Sequence, residues 1–176
     1  MTAYETLWDF AEDHYGIITT SQAVDMGIDM HQLPAMARRG TLIRKGHGVY
    51  LAKHHIPREN DVYAHSVAMA GVSAYLRGAS VVALLKLAPT NPGLVYLGAT
   101  SRVRRRLPES LRIVDMRPCT CVKYEGIRCQ PLIDALRTAR DEGAIEADRI
   151  ADAAVAAHEK GLLTESEMSE FIPERT

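Results

Sequence analysis

Glycines divide the first fifty residues into short segments, and this punctuation most constrains how the chain can fold. Gly16, Gly27 and Gly40 each follow a segment whose apolar residues have helical spacing. Glycine tolerates a positive φ and commonly ends helices. The first segment therefore predicts an amphipathic helix from Tyr4 to Tyr15, followed by a β-prone pair at Ile17 and Ile18.

Two further short helices are predicted from their start signals. Thr19 is followed three residues later by Gln22, which is a capping-box pattern, so a helix should begin there and run to about Met26. Asp29 with Gln32 has the same spacing and predicts the start of the next helix, which ends at Gly40. Two short helices joined by a glycine-containing turn are typical of a helix-turn-helix.

The segment after Gly40 predicts a β-hairpin. Residues 41–45 and 49–51 are strand-like, and Gly46-His47-Gly48 between them predicts a turn. A hairpin directly after the second helix is the wing of a winged helix. We expect a winged helix-turn-helix domain over residues 1–56, with Leu33, Met36 and Ala37 packed on Leu7, Ala11 and Val24.

The helix from Asp29 to Arg39 is the candidate DNA-recognition helix. Residues near the start of such a helix reach base edges, so Gln32 could pair with adenine, and His31 with guanine or a phosphate. Basic residues at the helix end and in the wing are expected to contact phosphates. The predicted DNA-binding residues are Thr20, Ser21, Met30, His31, Gln32, Ala35, Arg38, Arg39, Arg44, Lys45 and His47.

Each of these interpretations has a structural alternative. Arg38 and Arg39 would also suit a helix C-terminus as solvated charges. Gln32 could be occupied in capping its helix. Pro34 lies inside the proposed recognition helix and should bend it or delay its start.

The second half of the chain predicts a small mixed α/β domain over residues 57–176, so the fold class is α+β. Pro57 and the polar residues after it indicate the boundary. An acidic helical segment closes the chain. The predicted helices are 62–75, 80–87, one beginning at Pro131, 145–160 and 164–171, and the predicted strands are 94–97, 111–114 and a hairpin over 122–129.

Charge is distributed unevenly behind a net charge of -1. Residues 1–58 balance six basic against six acidic residues, residues 59–130 have ten against five, and residues 131–176 have five against eleven. The densest basic cluster, Arg102, Arg104, Arg105 and Arg106, lies between two predicted strands. It is either a solvated hairpin tip or a second surface for DNA or an acidic partner.

Several function classes find little support. No apolar stretch is long enough to span a membrane and no secretory signal is present, so a cytoplasmic protein is expected. Cys119, Cys121 and Cys129 are expected to be reduced thiols, because an odd number of cysteines without a secretory signal argues against disulfides. The alternative is a metal site with His158, although a C-x-C spacing does not suit a zinc knuckle. No catalytic motif, metal site or cofactor is predicted. Asp115, Lys123 and Glu125 would form a nuclease-like set only if the fold brought them together.

The order of these motifs resembles that of one family. The motifs are Gly16 to Ala23, Leu33, Arg38 to Gly40, Leu42, Gly48 to Tyr50, Ala79 to Leu84 with Leu87, Gly126-Ile127 and Pro131 to Leu136. Over about residues 5–140 the chain resembles the AbiEi-family antitoxins of type IV toxin–antitoxin systems. Pro34 and Lys86 depart from the usual pattern.

The resemblance implies a transcriptional regulator that binds double-stranded operator DNA at inverted repeats and represses its own operon. It also implies a C-terminal domain that counteracts a nucleotidyltransferase-like toxin without forming a stable complex with it. The alternative is a protein-interaction module in which the winged helix and the Arg102–Arg106 loop dock a protein partner without binding DNA.

Overall fold

The computed structural model describes residues 2–90, 93–115 and 117–173 and has the expected α+β fold. The chain forms two compact units. The N-terminal unit consists of Met1–Val72 with Arg104–Leu107, and the C-terminal unit of Ser73–Val103 with Pro108–Thr176. The predicted domain boundary at residue 56 remains a prediction, and the helix that follows it belongs to the N-terminal unit.

The N-terminal unit begins with three short helices and a strand. They are α1 (Ala3–Asp13), β1 (Ile17–Thr19), α2 (Thr20–Asp25) and α3 (Gln32–Arg38). The predicted capping box of α2 is confirmed: the Gln22 amide donates to Thr19 Oγ1 at 3.2 Å, and the Thr19 amide donates to Gln22 Oε1 at 2.9 Å. Local hydrogen bonds therefore set where α2 begins.

The wing is confirmed as a hairpin of β2 (Leu42–Gly46) and β3 (Val49–Ala52). β1 pairs antiparallel with β3, so the sheet order is β1-β3-β2. Apolar side chains of α1, α2, α3 and the sheet form one core under it: Leu7, Ala11, Ile18, Ala23, Ile28, Leu33, Met36, Leu42, Tyr50 and Ala52. The expected packing of Val24 is wrong, because its side chain is 51% exposed and Ala23 is the α2 residue that enters the core.

The helix predicted over 62–75 is shorter than expected. α4 spans Asp61–Ala70 and ends at Gly71, which has a φ of 113°. Ala74–Leu76 then forms a buried strand, β4. Spacing alone did not separate the two elements, because a short apolar run suits a buried strand as well as a helix.

The C-terminal unit is built on a five-stranded sheet of order β6-β5-β4-β8-β7. β5 and β6 run parallel, so the segment between them is a crossover, and the alternative of a hairpin tip at the arginine cluster is wrong. The other elements of this unit are α5 (Ala79–Leu84), β5 (Val95–Ala99), β6 (Leu111–Asp115), β7 (Val122–Tyr124), β8 (Ile127–Cys129), α6 (Leu132–Asp141), α7 (Ala147–Glu159) and α8 (Glu165–Ser169).

Two helices of the C-terminal unit, α6 and α7, are amphipathic. α6 and α7 bury their apolar and alanine positions, such as Leu136, Ile150 and Ala154, and leave their charged residues outside. Among the described residues, no helix is both long enough and apolar enough to span a membrane.

Candidate nucleic-acid interface

An open groove of about 450 Å³ in the N-terminal unit brings the candidate residues of three elements together. The beginning of α2, the beginning of α3 and the wing line it on three sides, and the end of α4 with Arg105 lines the fourth. Six of the predicted residues and Arg105 from the second cluster contribute to this lining: Thr20, Ser21, Met30, His31, Arg44 and His47.

The wing turn is fixed against the start of α2. Both the amide and the hydroxyl of Thr20 donate to the carbonyl of Gly48, at 2.9 and 3.4 Å. Gly48 has a φ of +66°, and a Cβ there would lie 3.1 Å from Thr20 Oγ1. Thr20 is therefore engaged in holding the wing, whereas Ser21 beside it is exposed.

The candidate recognition helix α3 begins three residues later than its predicted cap at Asp29. Asp29 Oδ1 accepts from the His31 amide at 2.9 Å, and the Gln32 amide donates to the Asp29 carbonyl at 2.9 Å. The expected Asp29–Gln32 capping box is wrong. A start at Gln32 places Pro34 within the first turn, where a helix does not use the backbone N–H that proline lacks.

This late start leaves polar groups available at the beginning of α3. Gln32 is exposed, and its side chain makes no hydrogen bond with the described part of the chain. His31 is exposed and Met30 is 51% exposed, while Leu33 and Met36 on the opposite face are buried. The side chains expected to reach bases thus point away from the core, and Ala35 is half-buried between the two faces.

Four basic residues, which we call the α3–wing cations, continue the candidate surface beyond the groove: Arg38, Arg39, Arg44 and Lys45. All four are exposed. Arg44 Nε donates to the Gly46 carbonyl at 3.4 Å, and none of the four forms an ion pair with a carboxylate of the described residues. Their charges are therefore not neutralised by the part of the chain that the structure describes.

Four of the six acidic residues in residues 1–58 lie on another element, whereas Asp25 and Asp29 are exposed at the end of α2 and just before α3. Glu5, Asp9, Glu12 and Asp13 are all exposed on α1, whereas the cations lie at the end of α3 and on β2. The six-against-six balance of residues 1–58 thus hides a separation of charge between elements. A local basic face is what a phosphate backbone requires of a protein without a basic net charge.

Arg105 lines the groove, whereas the other arginines of the second cluster do not. Arg105 Nη1 donates to the Met69 carbonyl at 3.3 Å, at the end of α4, and this bond places its guanidinium at the groove. Arg102, Arg104 and Arg106 are exposed. Sequence patterns did not indicate that Ala68 of α4 and the following Gly71 and Val72 line the groove, because these small and apolar residues have no nucleic-acid signal of their own.

The three cysteines lie in the C-terminal unit, and the protonated thiol is favoured at Cys119 and Cys129. Burial raises the pKa of Cys129 to about 12. Burial and a hydrogen bond with the Cys121 thiol raise the pKa of Cys119 to about 12. A protonated thiol is a poor nucleophile and a poor metal ligand. No described residue group with converging metal ligands includes these cysteines.

The nuclease-like set does not assemble. Asp115 belongs to β6 and Lys123 to β7, and these strands are the two opposite edges of the five-stranded sheet. Four strand spacings separate the edges, which is about 19 Å. Glu125, in the turn after β7, is equally far from β6, so that interpretation of the three residues is wrong.

A comparison with protein families finds a match to part of the N-terminal unit. Residues 5–53 match a family model described as transcriptional regulator, AbiEi antitoxin. The match extends from α1 to just beyond β3 and includes all eleven predicted DNA-binding residues. It does not extend to the segments around Ala79 and Pro131 on which the resemblance also rested. No curated protein matches the chain.

Proposed function

We propose that the chain is a DNA-binding transcriptional regulator that represses its own operon and acts as the antitoxin of a type IV toxin–antitoxin system. The match of residues 5–53 to the AbiEi regulator family carries the proposal. The geometry of the groove supports it, since the start of α3, the wing and unneutralised cations belong to one unit.

In the proposed complex, the beginning of α3 enters the major groove of double-stranded DNA. Gln32 and His31 face the base edges there, because both are exposed and the Gln32 amide has no competing partner among the described residues. The α3–wing cations contact the phosphates on either side. Contacts with bases would thus set the sequence preference, and contacts with phosphates would supply most of the affinity.

The Arg104–Arg106 segment adds a second phosphate contact in this proposal. Arg105 lines the same groove as His31 and Arg44, and its backbone hydrogen bond leaves the guanidinium charge without a carboxylate partner among the described residues. A winged helix with no net charge would gain attraction for DNA from these arginines.

The antitoxin role concerns residues 57–176. We propose that this part counteracts a cognate nucleotidyltransferase-like toxin in the cytoplasm without a stable complex, while the N-terminal unit binds inverted repeats upstream of the gene. This part of the proposal rests on the family description of the N-terminal match. No catalytic role and no cofactor are part of it.

A reporter assay tests the regulatory role. The chain is expressed beside a reporter driven by the DNA upstream of its own gene, and we expect repression that Arg38→Ala with Arg39→Ala relieves. Arg149→Ala is the control, because Arg149 is an exposed helix arginine of the C-terminal unit. The same purified proteins are compared for binding to that DNA by gel shift.

The outcomes separate the two function classes. The regulator is supported if Arg38→Ala with Arg39→Ala loses both repression and the shifted band while Arg149→Ala retains both. No shifted band with the unaltered chain at low salt contradicts DNA binding. If a protein partner is then captured and Arg104→Ala with Arg105→Ala releases it, the chain is an interaction module.

A further inference from the structure

Three potential metal ligands converge in the N-terminal unit, and none of them lines the groove. His55 follows β3, and Asp61 and His65 lie four residues apart on one face of α4. Each offers one ligand atom, and these atoms lie within 4.8 Å of one another. Within the described ranges, this is the one group of three or more such residues that converges in this way.

The charge at the centre of this cluster is incompletely satisfied. His55 Nε2 lies 2.7 Å from Asp61 Oδ2, and the two side chains are 6% and 15% exposed. The other carboxylate oxygen, Asp61 Oδ1, is buried and has no hydrogen-bond partner among the described residues. A buried carboxylate oxygen without a partner is costly, and a cation would remove that cost.

The tautomer of the His65 imidazole is set by a backbone carbonyl. Its Nε2 lies 2.9 Å from the carbonyl oxygen of Tyr15. Since a carbonyl can only accept, Nε2 carries the proton and Nδ1 is left with a free lone pair. Metal-binding histidines commonly donate their other ring N–H to a backbone carbonyl in this way, which fixes both the tautomer and the ring orientation.

The orientation of His55 is fixed from the opposite side. A Cβ at Gly16 would lie 2.5 Å from His55 Nδ1, so the chain packs against this edge of the ring. The Nε2 edge faces Asp61. Glycine at this position therefore permits the close approach that directs Nε2 towards the cluster.

We propose that His55, Asp61 and His65 form a binding site for one Zn²⁺ ion, with water in the fourth position. Two imidazoles and one carboxylate are a common zinc ligand set. Ligand atoms on a tetrahedral zinc lie about 3.3 Å apart, so the 2.7 Å pair must widen by about 0.6 Å. The ion would join the segment after the wing to α4 and so stabilise the N-terminal unit.

Cobalt titration of the full chain tests the site directly. Added to metal-free protein, Co²⁺ should give the visible d–d absorption of a tetrahedral complex that saturates at one ion per chain, and Zn²⁺ should displace it. With free Zn²⁺ at a hundred times its Kd, the unfolded fraction should fall about 100-fold, and Tm should rise by about 5 to 10 °C.

Matched variants locate the ion. His65→Gln should weaken Co²⁺ binding about 100-fold or more, since the loss of even an outer hydrogen-bond partner costs 10- to 100-fold. His54→Gln, which alters the exposed neighbour of His55, should bind as the unaltered chain does. Cys121→Ser tests whether a thiolate holds the ion instead.

Three results would overturn the proposal. One is the absence of Co²⁺ absorption and of any Zn²⁺-dependent rise in Tm, which would leave the cluster a structural ion pair. Another is unchanged binding in His65→Gln. The third is binding that Cys121→Ser abolishes. Circular dichroism of each variant without metal shows whether its fold is retained, so that loss of binding is not confused with unfolding.

Discussion

The two units use their arginines in opposite ways. In the C-terminal unit, Arg137 binds Glu170 through two nitrogens, at 2.6 and 2.8 Å, and Asp134 through a third at 3.0 Å. Arg140 pairs with Asp141 at 3.0 Å. In the N-terminal unit, none of the α3–wing cations pairs with a carboxylate of the described residues. The paired arginines of the C-terminal unit hold helices together. The α3–wing cations keep their charge available for an external anion.

This difference shows why total charge is a poor guide to partners here. The excess acid lies in residues 131–176, where Asp134, Asp141 and Glu170 pair with arginines of the same unit. The cations of α3 and the wing are locally in excess, although their own domain is neutral. The proposed binding of DNA depends on that local excess, since phosphate contacts act over about one Debye length.

Removing all four α3–wing cations should have the largest effect. The variant Arg38→Ala, Arg39→Ala, Arg44→Ala and Lys45→Ala should lose about 1000-fold in DNA affinity at 0.15 M salt, if each residue neutralises one phosphate. Fluorescence anisotropy with a labelled duplex measures it. Because all four side chains are exposed, Tm should be unchanged; a variant that folds and binds DNA as before would erase the contrast between the units.

Neutralising the second arginine cluster should have a smaller effect. Arg104→Ala with Arg105→Ala should weaken DNA binding about 30-fold at 0.15 M salt, the loss expected for two phosphate contacts. The charge-matched control is Arg112→Ala with Arg149→Ala, two exposed arginines of the C-terminal unit. Equal affinities of both double variants would limit the DNA surface to α3 and the wing.

A change at the start of α3 should affect the preference for operator over unrelated DNA rather than the general affinity for DNA. Gln32→Ala should reduce the discrimination between operator and unrelated DNA about 10-fold, since a bidentate base contact contributes about 1–3 kcal/mol. Affinity for unrelated DNA should stay unchanged. Val24→Ala, an exposed α2 residue outside the groove, is the control. Equal weakening on both DNAs would assign Gln32 to the phosphate backbone.

The smallest effect is expected where an arginine already has protein partners. Arg137→Ala should leave DNA affinity unchanged and lower the free energy of unfolding by about 0.5 kcal/mol, because exposed ion pairs contribute little. The Arg137 guanidinium holds the pKa of Glu170 below its ordinary value. The stabilisation is therefore present above pH 4.5 and is lost as the pH falls through the lowered pKa.

Urea denaturation at pH 7 and at pH 3 measures this difference. The unaltered chain and Arg137→Ala should differ at pH 7, and the difference should be smaller at pH 3. Arg149→Ala is the control, since its nearest carboxylate oxygen, on Glu146, lies 3.8 Å away. A loss of DNA affinity in Arg137→Ala would mean that the paired arginines also contribute to the interface.

The N-terminal unit was largely predictable because local signals define it. The Thr19–Gln22 capping box and the glycine-ended helices act over a few residues, so the order of helices and wing followed from the sequence. The start of α3 was missed because two signals conflicted: Asp29 favoured an early start, and Pro34 required a late one. The groove's fourth side also depends on α4, which is distant in sequence from the wing.

The C-terminal unit depends on pairings that no local pattern reveals. β4 was missed because Ala74–Leu76 pairs with β5 and β8, the second of which lies more than fifty residues later. The parallel alignment of β5 and β6 was likewise invisible in strand propensities, and with it the crossover that carries the arginines. Long-range sheet contacts, rather than side-chain periodicity, decide these features.

The salt dependence of DNA binding tests the central claim most directly. The logarithm of the binding constant is measured against the logarithm of salt concentration for the unaltered chain and for the variant lacking the α3–wing cations. We expect a slope of about -4 or steeper for the unaltered chain, and a slope shallower by about 3.6 for the variant. Two equal slopes, or no binding by the unaltered chain at low salt, would contradict the claim that these cations bind DNA phosphates.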